Sequence, residues 1–73
     1  MKYILQQGGY SINKKAPVII DIIDCENIIE AKKVAKSKGK EFTVEPVIKS
    51  NIDFDIKHGG IPKDFYSVWG SKL

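Results

Sequence analysis

Few side chains in this 73-residue sequence could perform catalysis or hold a metal ion. Asp53, Asp55 and His58 lie close together, but three potential ligands at this spacing match no known metal-binding loop. A second segment would have to complete the site, because hard cations need about six or more oxygen ligands. The simpler interpretation is that the two aspartates form the polar face of an amphipathic strand. We therefore expect no metal site and no cofactor.

The lone cysteine, Cys25, could act as a nucleophile only beside a general base. It directly precedes a predicted helix, where a thiolate could be stabilised. His58 is the only histidine, and nothing in the sequence brings it to Cys25. The alternative is a small, buried core residue. Since no pair of nucleophile and base can be assembled, we expect a protein that is not an enzyme.

The most distinctive chemical feature is a run of lysines. The chain has 12 basic and 9 acidic residues, for a net charge of +3, and every basic residue is a lysine. Five of these lysines lie between positions 32 and 40, and acidic residues outnumber lysines in the rest of the chain. Because arginine provides the fork that binds phosphate and guanine in a bidentate manner, a lysine-only surface favours less specific contacts with anions.

The lysine run falls on a segment that predicts a helix over about residues 28–38. Asn27 can cap its first turn, and Glu30 follows three residues later, which is the spacing of a capping box. Gly39 suits the residue that ends a helix. Acidic residues precede the helix and lysines lie at its end, so both complement the helix dipole.

A period of 3.6 residues per turn gives this helix two unlike faces. Ile28, Ala31, Val34 and Ala35 share one face, and the small alanines would let it pack closely on a sheet. Ile29 lies on the opposite side, among lysines. The predicted partner-binding residues are Ile29, Lys32, Lys33, Lys36, Lys38 and Lys40.

Three interpretations of this lysine face stay open at the level of sequence. It could bind an acidic protein surface, with Ile29 as an apolar anchor. It could be an ordinary solvated helix face, since single exposed apolar residues are common. It could also bind a nucleic-acid backbone in a salt-sensitive manner. Against the last, aromatic residues are not interleaved with the lysines, and no RRM, KH or zinc-knuckle motif is present.

Two glycine-containing segments, Gly8-Gly9-Tyr10 and His58-Gly59-Gly60, are interpreted first as structural turns. Neither has the spacing of a phosphate-binding loop. The alternative is a concave small-ligand site that uses Tyr10, His58 and Trp69, in a monomer or between the subunits of an oligomer. Trp69 also belongs to a bulky C-terminal cluster, which either caps the core or forms a dimer interface.

The remaining periodicity predicts strands. Residues 18–25 are apolar on both faces, as in a central strand, and Pro46 marks an edge strand or a bulge. Residues 61–73 form a last strand or a helical turn after Pro62, and their aromatic and β-branched side chains favour the strand. Asp21, within an apolar strand, could lie at an edge, pair with a lysine or face a partner. The predicted strands cover residues 2–7, 18–25, 41–49 and 52–56.

These elements predict an α+β fold in a single domain spanning residues 1–73. One helix would pack on one face of a small, mostly antiparallel sheet, in the order ββαββ with a fifth strand after it. The composition, 42% hydrophobic and 29% charged, is that of a folded domain. A single cysteine favours a reducing compartment, and the sequence shows neither a signal peptide nor an apolar run long enough to span a bilayer. We therefore expect a cytoplasmic protein without a membrane partner.

The run of residues 22–39 resembles a pattern found in small phage and mobile-element proteins, among them some type I-F anti-CRISPR proteins. In that pattern a strand ends in a small residue, an Asx or Ser caps a helix, and a Glu-Ala pair is followed by alanine four residues later. The corresponding positions here are Ile23, Cys25, Asn27, Glu30-Ala31 and Ala35. The resemblance covers about a quarter of the chain.

The resemblance implies a non-catalytic inhibitor, encoded by a phage, that blocks a host defence complex such as CRISPR-Cas. Its partner would be an acidic host protein or a nucleoprotein complex in the host cytoplasm. Together with the lysine face, this predicts a small protein-binding module. Direct nucleic-acid binding through residues 32–40 and a ligand-sequestering oligomer are the alternatives.

Overall fold

The computed structural model describes residues 1–8 and 17–73, and in these residues the fold is α+β. Three strands form one antiparallel sheet in the order β2-β1-β3. Helices lie on both of its faces. In chain order the elements are β1 (Lys2–Gln7), β2 (Val18–Asp24), α1 (Ile28–Lys38), β3 (Phe42–Pro46), α2 (Lys49–Lys57), α3 (Phe65–Trp69) and a final 3-10 turn (Gly70–Lys72).

The central strand is β1, so the prediction that the second strand is central was wrong. Tyr3, Ile4 and Leu5 are each almost fully buried, which requires cover on both faces of β1. β2 is an edge strand whose Val18 is 61% exposed. A register shift between Leu5 and Gln6 makes a bulge in this pair, and such irregularities are common at sheet edges. A run of β-branched residues alone does not separate a central strand from an edge strand.

Helix α1 begins and ends as the sequence predicts. The side chain of Asn27 accepts a hydrogen bond from the backbone N–H of Glu30 at 2.9 Å, which satisfies one of the free donors of the first turn. Gly39 follows the last helical residue with φ 149°, a backbone conformation that residues other than glycine rarely adopt. Ala31 and Ala35 are buried against the sheet, as the helical periodicity predicts.

The predicted strand over residues 52–56 is wrong, because this segment lies within helix α2. Its alternating pattern fits both structures in part: Ile52 and Ile56 are four residues apart and share one helix face. Ile52 is buried, whereas Phe54 points away from that face and is 62% exposed. An ion pair of 2.7 Å between Lys49 and Asp53 has the spacing of adjacent helical turns.

The strand favoured for residues 61–73 is also wrong, and the helical alternative is correct, since α3 and the 3-10 turn occupy this segment. Phe65 and Trp69 are four residues apart, so one helical turn directs both toward the core. A short helix therefore buries the same aromatic residues that favoured a strand. The expectation of one helix on one face is corrected accordingly, because α2 and α3 cover the face opposite α1.

Two apolar clusters, one on each side of β1, cover Tyr3 and Ile4. On the α1 side, Tyr3, Cys25 and Ala31 form a buried cluster. On the other side, Ile4 packs with buried residues of the C-terminal segment. Those residues are Ile52, Ile61 and Phe65.

Asp21, which the sequence left undecided, lies on edge strand β2 and pairs with a lysine. Its carboxylate accepts a hydrogen bond from Lys72 Nζ at 3.0 Å and another from the backbone N–H of Ile22 at 2.8 Å. These contacts lower the pKa of Asp21. The pair links the 3-10 turn to the edge of the sheet.

Candidate functional site

An open groove of about 520 Å³ runs between helix α1 and strand β3. Its floor is apolar and its helical side carries lysines. The groove lies on the lysine-rich part of the sequence, but it extends to residues of β3 that the helix alone does not reveal. Its lining consists of Lys32, Ala35, Lys36, Gly39, Lys40, Phe42, Thr43 and Val44.

The floor of the groove depends on small residues where the helix meets β3. Ala35 is 3% exposed, so its methyl group lets α1 approach the sheet closely. Gly39 lies against the ring of Phe42, and a Cβ atom at this position would be 3.3 Å from two ring carbons. Gly39 thus ends the helix and also leaves room for Phe42. Val44 joins the floor to the buried cluster on the α1 side of the sheet.

Three lysines border this floor. Lys32 and Lys36 are one turn apart on α1, about 6 Å along its axis at a rise of 1.5 Å per residue. Lys40 follows the helix end, and all three side chains are exposed. The ion pairs within the described residues involve the N-terminus, Lys49 and Lys72, and the groove lining contains no carboxylate. The groove lining therefore carries a net positive charge beside an apolar surface.

The structure divides the predicted partner-binding set into different surfaces. Lys32, Lys36 and Lys40 meet at the groove. Ile29, 65% exposed, and Lys33 lie outside its lining. Lys38 also lies outside the lining, and its charge is a minor contributor to the lowered pKa of Asp21.

Phe42 and Val44 are site residues that sequence analysis missed. Their alternation with Thr43 and Glu45 predicted a strand, and no binding role was assigned to it. The tight connection through Gly39, which places β3 next to α1, was the available clue. What the sequence could not provide was the distance between the two elements.

The proposed ligand-site residues lie elsewhere. The ring of His58 packs on the ring of Phe54, with centroids 4.2 Å apart, at the end of α2. Trp69 is half-buried against the cluster of Ile4, and the ammonium of Lys72 lies 5.5 Å from its ring. Tyr10 lies outside the described residues. Both described members thus have contacts within the C-terminal helical layer, on the face of the sheet opposite the groove.

The acidic residues near His58 do not share one strand face, since they lie on a helix two residues apart. Asp53 accepts hydrogen bonds from Lys49 Nζ and Tyr66 Oη, both at 2.7 Å, and these contacts lower the pKa of Asp53. Asp55 lies beside Glu45 of β3 instead. Within residues 1–8 and 17–73, no three side chains of His, Cys, Asp or Glu are grouped closely enough to hold a metal ion.

Cys25 is a free thiol that is buried with Tyr3 and Ala31. Burial raises the pKa of Cys25, and the nearby carboxylates of Glu30 and Asp24 raise it further. The thiol therefore stays protonated at neutral pH, which is unfavourable for a nucleophile. This environment is that of a core residue.

Comparisons with known proteins give no relative: no family model matches the chain, and neither a curated protein nor a solved structure is similar to it. The helices in the described part of the chain are all too short or too polar to cross a membrane. The role of the groove between α1 and β3 must therefore be argued from its geometry and charge.

Proposed function

We propose that this protein is a non-catalytic protein-binding module that holds an acidic segment of its partner in the groove between α1 and β3. The observation that carries the proposal is an apolar floor bordered by Lys32, Lys36 and Lys40, with no carboxylate in the lining. An apolar floor supplies affinity by excluding water, and the lysines select a negatively charged partner.

The chemistry of the groove favours a protein over a nucleic acid. Ala35 and Val44 offer no flat surface for a base, and Phe42 packs against Gly39. Single-stranded nucleic acids bind best where exposed aromatic rings alternate with cations. All cations of this groove are lysines, which lack the planar fork used to recognise phosphate and guanine.

The class of partner follows from the resemblance of residues 22–39 to small anti-defence proteins. It implies a component of a host defence complex, bound in the host cytoplasm, whose function the module would block. A surface that must bind nucleic acid in such a complex carries cations, so the acidic segment would lie elsewhere on the complex.

A comparison of charge-reversal variants tests the proposal. Tagged wild-type protein and the variant Lys32→Glu/Lys36→Glu are used to purify partners from nuclease-treated host lysate, with mass spectrometry as the readout. We expect the wild type to retain a stoichiometric acidic protein and the groove variant to lose it. The control, Lys33→Glu/Lys63→Glu, makes the same charge change at exposed positions outside the groove and should retain the partner.

Two outcomes would contradict the proposal. If the control loses the partner while the groove variant keeps it, the outer face of α1 around Ile29 is the binding surface. If partners are captured only without nuclease, and a labelled oligonucleotide binds tightly at low salt, the lysines bind nucleic acid. Circular dichroism of each variant confirms that it is folded.

A further inference from the structure

Strand β3 has one edge that no other described strand pairs with. The sheet order is β2-β1-β3, so β3 bonds to β1 along one side only. The other side borders the groove, because Phe42, Thr43 and Val44 line it. An unpaired strand edge presents backbone donors and acceptors that an extended chain can bind.

The register of β1 and β3 shows which backbone groups face this edge. At one end of the pair the N–H of Gly8 donates to the carbonyl of Glu41 at 2.7 Å, and at the other the N–H of Val47 donates to the carbonyl of Lys2 at 3.0 Å. In an antiparallel ladder every second residue bonds to the neighbouring strand. Within β3, Thr43 and Glu45 therefore face β1, whereas Phe42, Val44 and Pro46 face the open edge.

Among these outward-facing residues, Val44 has a special place. Proline has no N–H, so Pro46 offers only its carbonyl. The N–H of Phe42 already donates to the carbonyl of Gly39 at 3.3 Å. Val44 at the centre of β3 thus offers both an N–H and a carbonyl. In an antiparallel pair, one residue of an added strand can donate to that carbonyl and accept from that N–H.

The spacing of the lysines fits a strand in this place. Side chains on one face of a strand recur about every 6.6 to 6.8 Å. Lys32 and Lys36 repeat at a similar interval of about 6 Å along α1. Three groove-facing side chains, at positions 1, 3 and 5 of an added strand, would therefore lie alongside the three lysines. Acidic residues at positions 1 and 5, about 13 Å apart, would meet the outer lysines, Lys32 and Lys40, while an apolar side chain at position 3 would cover Val44 and Phe42.

We infer that an extended acidic segment of the partner binds as an additional antiparallel strand on β3, with alternate side chains directed into the groove. The inference rests on the proposed function and specifies the mode by which the partner segment binds. Backbone hydrogen bonds to Val44 fix the register, the lysines select acidic residues, and the floor takes one apolar side chain.

A second copy of this chain is the less favourable occupant of the same edge. Antiparallel pairing of two β3 strands about a two-fold axis would place both α1 helices on one face of the joined sheet. Lys32, Lys36 and Lys40 of each copy would then face the same three lysines of the other. Like charges in close contact oppose this association.

The probe is a blocked peptide, acetyl-Glu-Thr-Leu-Thr-Glu-amide, whose leucine is designed to lie opposite Val44. Binding is followed by two-dimensional 1H–15N NMR at low ionic strength. We expect the Val44 amide to shift downfield and to exchange more slowly with solvent, because it gains a hydrogen bond. The amides of Thr43 and Glu45, which already bond to β1, should change little.

Single N-methylation of the peptide supplies a matched pair of controls. The leucine N–H would donate to the Val44 carbonyl, so methylation there should weaken binding by about tenfold or more, the cost of one lost hydrogen bond with its acceptor left unpaired. Methylation of the second threonine, whose N–H points away from β3, should change affinity much less. A peptide with lysine in place of glutamate should not bind.

Each result separates this inference from the proposed function. Equal affinity of the two methylated peptides, or a Val44 amide that does not respond, would overturn strand addition while leaving the lysate experiment to decide the function. Absence of any peptide binding at millimolar concentration would also overturn strand addition. A Val44 shift that depends on protein concentration without peptide would assign the edge to a second copy instead.

Discussion

Glu45 lies in an environment that disfavours its ionisation. It lies on β3 opposite Ile4, on the face covered by α2, and it is partly buried beside Asp55. Burial raises the pKa of Glu45 above its ordinary value of 4.5, and the negative charge of Asp55 raises it further. The carboxyl therefore binds a proton more tightly in the folded state than in the unfolded state.

Replacing Glu45 should stabilise the protein in a pH-dependent manner. A folded pKa above the unfolded value means that Glu45 favours folding below the unfolded pKa, and that this contribution is lost as pH rises through the folded pKa. We expect Glu45→Gln to unfold at a higher urea concentration than wild type at neutral pH, with a difference that shrinks toward acidic pH. The unfolding midpoint can be followed by the fluorescence of Trp69, the only tryptophan.

Glu41→Gln is the control for that experiment. Glu41 is exposed, and its side chain accepts a hydrogen bond from Gln7 Nε2 at 2.9 Å, which a glutamine could also accept. It removes the same charge without relieving burial. A stability gain for Glu45→Gln that stays constant across pH, or one matched by Glu41→Gln, would show that ionisation of Glu45 is not the cause.

At the scale of elements, helix α2 shows how one pattern can serve two structures. Residues 52, 54 and 56 alternate as in a strand, yet a helix places Ile52 and Ile56 on one side and Phe54 on the other. In a strand all three apolar side chains would share one face, whereas in the helix Phe54 stays in solvent. The exposed fractions, 1% for Ile52 and 62% for Phe54, are those expected for the helix.

Two alanine substitutions distinguish the helix from the strand. Ile52→Ala should lower the free energy of unfolding by about 2 to 5 kcal/mol, because it opens a cavity in the core. Phe54→Ala should change it by about 0.5 kcal/mol or less, as for other exposed positions. Urea titrations measure both. If Ile52→Ala is too unstable to fold, Ile52→Val, at a cost of about 0.5 to 1.5 kcal/mol, replaces it. Similar losses for Ile52→Ala and Phe54→Ala would contradict the helix.

At the scale of the whole molecule, the sheet depends on cover from both sides. α1 protects one face of β1, and α2 with α3 protects the other. Ile4 is fully buried only because Ile52, Ile61 and Phe65 lie over it. The groove between α1 and β3 is built on this sheet, so its shape depends on elements that do not line it.

Removal of the C-terminal layer should therefore prevent folding. A chain of residues 1–48 would expose Ile4, Ile19 and Ile22, and we expect it to lose cooperative unfolding and to bind a hydrophobic dye. A chain of residues 1–69 lacks the 3-10 turn, Leu73 and the contacts of Lys72 with Asp21 and Trp69, all of them exposed or half-buried, and it should remain folded. A short chain of 1–48 with well-dispersed NMR signals and a sharp unfolding transition would refute this dependence.

Features that depend on near neighbours in the chain could be predicted from the sequence alone. Asn27 and Gly39 set the ends of α1, the spacing of Ala31 and Ala35 set its buried face, and Pro46 indicated an edge strand. These features follow from backbone hydrogen bonds and side-chain sterics within a few residues, so they can be deduced locally. The exposure of the lysines on the surface of α1 was predictable for the same reason.

Which elements meet depends on contacts between residues that are far apart in the chain. Residues 52–56 and 65–69 are helical because their apolar side chains reach one common core from that conformation, and the local pattern does not reveal this. Burial from both sides made β1, not β2, the central strand. The groove exists because Phe42 and Val44 lie next to Lys32 and Lys36, a contact between two elements that no spacing within either one encodes.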